Sequence, residues 1–273
     1  MMTFSGGRQT TIDNDVVLSG IGVHSGTSAS VILHPAEANT GWVFVVKSDK
    51  RRLVRIPADF RSIANVTLCT VIGDKKGTIV STVEHLLSAL RGMNIDNCEI
   101  EVDGNEMPIM DGSAAAFVDA IDEVGLRILD APRRYIKVLR TVRIEEGESV
   151  AELRTYNGSR FDVTIDFSTQ FIGRQQLAVD LTPDVFRREI ARARTFGFMK
   201  DVKALWAMGR ALGSSLDNSV AIAEDRILNP GGLRYEDEFV RHKLLDAIGD
   251  LALCGLPIYG RFRSYKGGHA LNA

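Results

Sequence analysis

Hydrophobic and polar residues alternate through roughly the first 60 positions, as in Ser28-Ala29-Ser30-Val31-Ile32-Leu33 and Trp42-Val43-Phe44-Val45-Val46, with Gly and Asn turns between them. A period of two places one face of each segment on a core, so this region predicts antiparallel sheet. The period then changes. A helix is expected from about Thr82 to Arg91, followed by a strand over Cys98-Glu99-Ile100-Glu101-Val102 and a turn at Asp103-Gly104-Asn105. Asp111-Gly112-Ser113 leads into a second helix, Ala114 to Val124, with Ser113 placed to cap it. At Asp130-Ala131-Pro132-Arg133-Arg134 the pattern breaks, and new strands follow over Ile136 to Leu139, Ser149 to Leu153 and Phe161 to Phe167, then a long helix from Glu236 to Cys254. This predicts an α+β fold in two domains, residues 1–131 and 132–273. The run His85-Leu86-Leu87-Ser88-Ala89 is echoed by His242-Lys243-Leu244-Leu245-Asp246-Ala247, a short match that gives weak support to an internal duplication.

Between the two helices, Thr195-Phe196-Gly197-Phe198-Met199 precedes Val202, Leu205, Trp206, Met208, Ala211 and Leu212, which approximate helical spacing. By itself this favours a helix packed in the core slightly over its rival, an apolar ligand channel.

Composition narrows the class without naming a function. With 45% hydrophobic and 25% charged residues and a net charge of -2, the 273-residue chain reads as an ordinary globular protein. It has no basic surplus to neutralise nucleic-acid phosphates, and no apolar run reaches the roughly 18 residues of a membrane span. Cys69, Cys98 and Cys254 show no paired spacing, which fits a reducing cytoplasm. Met1-Met2-Thr3-Phe4-Ser5-Gly6-Gly7 lacks the basic and apolar parts of a secretory signal.

The candidate chemistry lies on the two histidine-bearing helices. His242, Asp246 and Asp250 recur every four residues and so share one helix face, in an otherwise apolar run where polar groups are costly unless paired or metal-bound. With His85 from the other helix, His242 and Asp246 make three N/O ligands, the count at which zinc keeps a fourth position for water. Glu84, beside His85, is placed to lean over that water as a base. Asp250 could hold a further imidazole in its protonated form; His269, in Lys266-Gly267-Gly268-His269, is the candidate. On spacing alone, His242 with Asp246 reads equally well as a solvent-facing helical pair; the apolar neighbours and the separate Glu84-His85 pair favour metal. Lys243 and Lys266 flank these residues and could receive phosphate. His24 and His34 read as core or surface residues, Cys69 as a small buried apolar one. Gly20-Ile21-Gly22-Val23-His24-Ser25-Gly26 has Ser25 where a dinucleotide loop needs Gly, and a strand follows, so it reads as a hairpin turn. This chemistry also permits a zinc amidase or peptidase on another acyl-amine, or a non-catalytic module binding RNA around a structural zinc, although structural zinc is usually closed and Cys-rich.

Six motifs in order carry a family resemblance: Gly22-Val23-His24-Ser25-Gly26, Thr82-Val83-Glu84-His85-Leu86-Leu87, Met110-Asp111-Gly112-Ser113-Ala114, Arg194-Thr195-Phe196-Gly197-Phe198, His242-Lys243-Leu244-Leu245-Asp246 and Gly268-His269-Ala270-Leu271-Asn272. Together they resemble the UDP-3-O-acyl-N-acetylglucosamine deacetylases of lipid A biosynthesis, almost end to end. The resemblance implies two similar domains, each an α/β sandwich of sheet and helices, with a βαβ insert at about 196–222 in the second that forms an acyl passage. It implies a zinc-dependent (Zn2+) amidohydrolase that removes the N-acetyl group of UDP-3-O-(3-hydroxyacyl)-N-acetylglucosamine and releases acetate, a cytoplasmic monomer with an acylated UDP-sugar as substrate and neither nucleic acid nor a membrane span. Carried over by motif, His85, His242 and Asp246 match zinc ligands and Glu84 the general base. His269 matches a charged histidine partnered by Asp250, and Thr195 an oxyanion-assisting hydroxyl. Phe196, Phe198, Met199, Lys243 and Lys266 match substrate contacts. The chain ends at Ala273, where the resemblance leads one to expect a further segment.

Overall fold

The computed structural model describes residues 7–47, 53–169, 171–224 and 226–273. The opening residues read above for a secretory signal thus lie, up to residue 6, outside the described residues.

Along the chain, strand β1 (Arg8–Ile12) precedes a run of strands whose alternation is visible in the sequence: β2 (Val16–Ile21), β3 (Ser28–Pro35), β4 (Trp42–Lys47) and β5 (Leu53–Pro57). Three short strands follow, β6 (Ile63–Asn65), β7 (Val71–Gly73) and β8 (Ile79–Val80), then helix α1 (Glu84–Gly92), strand β9 (Cys98–Asp103) and helix α2 (Ala115–Val124). Strand β10 (Leu126–Pro132) returns to pair with β1. The remainder runs β11 (Ile136–Lys137), β12 (Val142–Glu146), β13 (Ser149–Arg154), β14 (Ser159–Asp166), β15 (Arg174–Asp180), the single turn α3 (Pro183–Val185), β16 (Phe196–Phe198), α4 (Met199–Ala207), β17 (Val220–Ile222), α5 (Glu238–Ala252), β18 (Ile258–Tyr265) and the short α6 (His269–Asn272).

The fold is α+β, and its two main sheets are built alike. One has the order β2-β3-β9-β4-β5 and the other β12-β13-β18-β14-β15. Pair by pair the directions agree: antiparallel at β2/β3 and β12/β13, antiparallel at β3/β9 and β13/β18, parallel at β4/β9 and β14/β18, antiparallel at β4/β5 and β14/β15. Within the first 60 residues, read as antiparallel sheet, β2/β3 and β4/β5 do pair antiparallel; the one parallel neighbour, β9, comes from beyond that region. Strand β9 enters between β3 and β4 only after the chain has passed through α1, and a crossover through a helix is what a parallel pair requires.

Each sheet buries one face against the helices, and α1 and α5 pack on each other. Every residue of α1 is buried. Leu86, Leu87 and Leu90 are fully out of water, each contributing on the order of 1.5–3 kcal/mol. Close approach of the two helices depends on Gly249: a Cβ there would stand 2.0 Å from the Glu84 carbonyl oxygen. The backbone of α5 therefore rests directly on the first turn of α1.

Some boundaries differ from expectation. Ser113 lies one residue outside the cap: Ala114 is the N-cap of α2 and makes no side-chain cap, while the Ser113 hydroxyl accepts the Ala115 N–H at 3.1 Å. The apolar series Val202 to Leu212 is helical only as far as Ala207, because Gly209 and Ala211 take positive φ and turn the chain toward β17. The glycine-rich segment at residues 20–26 is the expected hairpin, joining β2 to β3. Strands β16 and β17 pair in parallel around α4, so residues 196–222 form a βαβ unit.

Candidate metal centre and cavity

The contact of α1 with α5 brings His85, His242 and Asp246 together, with one ligand atom from each lying within 4.8 Å of the others. His242 Nε2 is 3.3 Å and His85 Nε2 3.7 Å from the same Asp246 oxygen, Oδ1. The imidazoles meet edge to face at 90°, ring centroids 5.0 Å apart. The chemistry of this donor set fits a divalent ion. Burial, reinforced by His242, pushes His85 down to about 3, and burial likewise lowers His242, so both rings are neutral and can offer lone pairs. Burial opposes the charge on Asp246, but its nitrogen-bearing neighbours, with the Lys243 ammonium 2.7 Å away, outweigh it and hold the carboxylate ionised. His242 Nδ1 donates to the Ala193 carbonyl at 3.0 Å, which leaves Nε2 for the shared point. Asp246 Oδ1, fully buried, has no hydrogen-bond partner among the described residues. Two neutral imidazoles and one carboxylate, with one buried oxygen left unsatisfied, are what a metal ion would complete.

Beside this trio stand a base and an acid. Glu84 is 3% exposed, and desolvation lifts it to about 7, a value at which a carboxylate exchanges protons near neutrality. Its Oε2 accepts the Thr70 N–H at 3.0 Å. His269 Nδ1 faces Asp250 Oδ2 at 2.9 Å, and its Nε2 points toward Asp246, 4.0 Å from Oδ2. Burial works against a charge on His269, but Asp250 more than compensates and raises it to about 9. Asp250 also receives the Thr70 hydroxyl at 2.6 Å and the Asn272 amide at 2.9 Å.

Thr70 was not singled out from the sequence. Its backbone holds Glu84, its hydroxyl holds Asp250, and the same oxygen lies 3.3 Å from His269 Nδ1, so one buried residue ties the base to the acid. Nothing in Leu68-Cys69-Thr70-Val71 marks it, since a Thr entering a strand is commonplace. Adjacent Cys69 is buried, its thiol pushed up by desolvation to about 12, in keeping with an inert side chain.

A cavity of about 350 Å³ opens from Glu84 and His85. Thr195, Phe196, Phe198 and Met199 line it, together with Val202, Leu205, Trp206, Ala211 and Leu216 from the βαβ unit and Leu68 from the opposite side. The channel reading of this segment, the weaker one on spacing alone, thus has a physical counterpart, and α4 has no buried residue. Thr195 is fixed by its N–H to the Gly112 carbonyl (2.8 Å) and by accepting the Val220 N–H (2.8 Å). Gly112 is required at that contact: its φ is +83°, and a Cβ would meet the Asn218 oxygen at 1.9 Å. Arg194 is anchored by a buried ion pair with Glu238, Nε to Oε1 at 2.9 Å, at the start of α5.

His24 also lines the cavity, half-buried, with its Nδ1 lacking a partner. The sequence reading left it as a bland core or surface residue, which holds for His34, paired with Asp15 and Glu101. The hairpin bearing His24 is clamped by Glu106, whose oxygens accept the N–H groups of His24 (2.8 Å) and Ser25 (2.9 Å). The two lysines separate. Lys243 Nζ sits 2.7 Å from Asp246 Oδ2 at the centre, whereas Lys266 pairs with Glu148 at 2.7 Å and is not part of the cavity wall. Backbone strain gathers here too: Leu68, Thr82 and Ala211, all on the cavity wall, hold positive φ, at a cost of order 1–3 kcal/mol each.

An α+β frame that closes two helices on a buried His-His-Asp set, with a neutral-pH carboxylate alongside and an apolar cavity in front, has the parts of a hydrolase that attacks an acyl group with a metal-assisted water. Comparison of whole sequences gives the finer placement. The chain belongs to the UDP-3-O-acyl N-acetylglycosamine deacetylase family, whose model matches residues 9–273. Proteins named UDP-3-O-acyl-N-acetylglucosamine deacetylase in Brucella ovis, Brucella canis and Brucella melitensis are each 52% identical to it over 266 residues, covering 97% of this chain and 92% of the relative. The resemblance drawn from six motifs therefore extends over nearly the whole sequence. Among the described residues, no helix is long and apolar enough to cross a membrane.

Proposed function

We propose that this protein is a zinc-dependent deacetylase that hydrolyses the N-acetyl group of a UDP-3-O-(3-hydroxyacyl)-N-acetylglucosamine to acetate and a free amine in lipid A biosynthesis, acting as a monomer in the cytoplasm. Residues 1–131 and 132–273 act as two domains, a division supported by the matching strand order of their sheets. The observation that carries the reading is the convergence of His85, His242 and Asp246 on one point beside Glu84, at the mouth of an apolar cavity.

His85, His242 and Asp246 would hold the zinc, which when bound supplies a Lewis acid for the acetyl carbonyl and acidifies water at its open position. Glu84 takes the proton of the attacking water; its elevated pKa makes it a base strong enough to do so and an acid able to return the proton. The Thr195 hydroxyl donates to the oxyanion that develops on the acetyl oxygen. His269, kept protonated by Asp250, supplies positive charge on the opposite side and a second route for a proton to the departing nitrogen. Phe196 and Lys243 hold the sugar and nucleotide, and Lys266 turns from Glu148 to a substrate phosphate. Phe198, Met199, Leu205 and Trp206 line the passage for the acyl chain.

The test is hydrolysis of the acetylated acyl-nucleotide sugar, with metal content measured in parallel. Chelation should abolish acetate release and stoichiometric zinc should restore it. Full activity in the metal-free protein would refute the reading. A series of substrates of increasing acyl length should show rates that depend on the chain, because the cavity wall is apolar; rates indifferent to its removal would sever the link between passage and substrate.

A further inference from the structure

A second concavity, of about 280 Å³, lies at the other end of α1, and none of the catalytic candidates lines it. Its wall holds a guanidinium with no paired anion among the described residues. Arg91, in the last turn of α1, is 9% exposed and stacks over the Trp42 ring with its Cζ 4.6 Å from the centroid, and its guanidinium makes no hydrogen bond or ion pair among the described residues. Trp42 is 6% exposed, and its indole N–H is also without a partner. Arg134, exposed on the same wall, has no hydrogen-bond or ion-pair partner among the described residues either.

The two carboxylates on the wall are already engaged. Asp59 is held by Arg61, and Asp96 by Arg133, whose Nε lies 2.8 Å from Oδ2. Two guanidiniums on this wall thus have no carboxylate paired to them among the described residues, one of them nine-tenths buried. The helix C-terminus favours a cation at Arg91, but this offsets only part of the cost of desolvating it. Burial lowers Arg91 to about 10, although the nearby Asp96 carboxylate, itself paired with Arg133, works against the shift. A planar guanidinium fixed on an aromatic face presents its N–H edge to a tetrahedral or carboxylate oxyanion, and a pocket this small admits a compact one.

We infer that this pocket binds a small phosphate-class oxyanion, gripped by Arg91 and Arg134 and remote from the metal centre. The chain has two tryptophans, so replacing Trp206 with Phe leaves Trp42 as the sole indole reporter, in van der Waals range of the bound anion's partner. Titration of that protein with inorganic phosphate, against sodium chloride at matched ionic strength, should give a saturable change in Trp42 emission that chloride does not reproduce. Adding Arg91→Gln should weaken the apparent affinity about tenfold or more, and Arg134→Gln, at an exposed position where folding is not at stake, by a smaller factor. A parallel titration with phosphatidylglycerol vesicles distinguishes the source: saturation with vesicles alone would assign the phosphate to a lipid headgroup. A response that tracks ionic strength in every arm, or phosphate affinity unchanged in the Arg134→Gln and Arg91→Gln proteins, would overturn the inference.

Discussion

The two halves of the chain repeat the same five-strand order within their sheets, and each sends one helix to the centre, yet the two helices meet carrying unequal chemistry. Helix α1 contributes one imidazole and the neighbouring carboxylate Glu84; α5 contributes an imidazole, the ligand carboxylate Asp246 and, one turn on, Asp250. The segments set between the last two sheet elements differ more. In the first half it is the short sheet β6-β7-β8, which delivers Leu68, Cys69 and Thr70; in the second it is the βαβ unit 196–222, which follows Thr195 directly and delivers most of the apolar wall. A repeated frame fixes where the helices cross, while the chemistry is written separately on each helix and insert.

The contrast can be broken most severely at the ligands. His242→Ala and Asp246→Ala, which remove donors from α5, are expected to strip most of the metal, as is His85→Ala from α1; zinc content measured after dialysis would contradict the shared site if the variants of either helix retained a full equivalent. Glu84→Ala should separate the two contributions of α1, keeping zinc while turnover falls about 10²–10⁴-fold, as expected for loss of a general base. Zinc loss with surviving activity would reverse the roles of Glu84 and its neighbour.

A smaller effect is expected where the halves are stitched together. Thr70→Val keeps shape but removes the hydroxyl from Asp250, and activity should drop roughly tenfold with zinc retained, since a hydrogen bond to a charged group is worth about 1.5–3 kcal/mol. Thr70→Ser, which restores the hydroxyl, should recover most of it. Gly249→Ala forces a Cβ onto the Glu84 carbonyl and should cost about 1–3 kcal/mol in denaturant unfolding, with weaker metal binding because the two ligand-bearing helices are pushed apart. Equal stability and affinity would mean the helices can slide without penalty.

The mildest test is pH. Glu84 titrates from about 7, so the ionised base is lost as pH falls below that value. His269 is raised to about 9, so its cation persists through neutrality and is lost only as pH climbs through 9. The profile of kcat/KM should be bell-shaped with its plateau between, the two limbs belonging to the coupled group of carboxylates and imidazoles. Replacing His269 with Gln should remove the alkaline limb and leave the acid one.

Much of this site was legible along the chain because helical periodicity is a local property. The i, i+4 spacing of His242, Asp246 and Asp250 puts them on one face wherever the helix is placed, and Glu84-His85 heads a helix whose apolar residues demand burial. Thr70 and His24 were not legible. Their side chains gain meaning from groups distant in sequence, Asp250 lying 180 residues from Thr70 and Glu106 82 residues from His24. The place of β9 between β3 and β4 was not legible for a related reason: an alternating pattern reports which face is buried and is silent on the neighbour it joins.

What the sequence determined by itself was the inventory: helices with one polar stripe, strands with one buried face, and a set of nitrogen and oxygen ligands too costly to bury unpaired. The tertiary structure alone decided the convergence. Only the packing of α1 on α5, permitted by a missing Cβ at Gly249, brings His85 within 3.7 Å of an Asp246 oxygen, and only burial there makes both imidazoles neutral and sets Glu84 near 7. Proton affinity depends on the local dielectric and on neighbouring charge, and neither exists until the chain has folded.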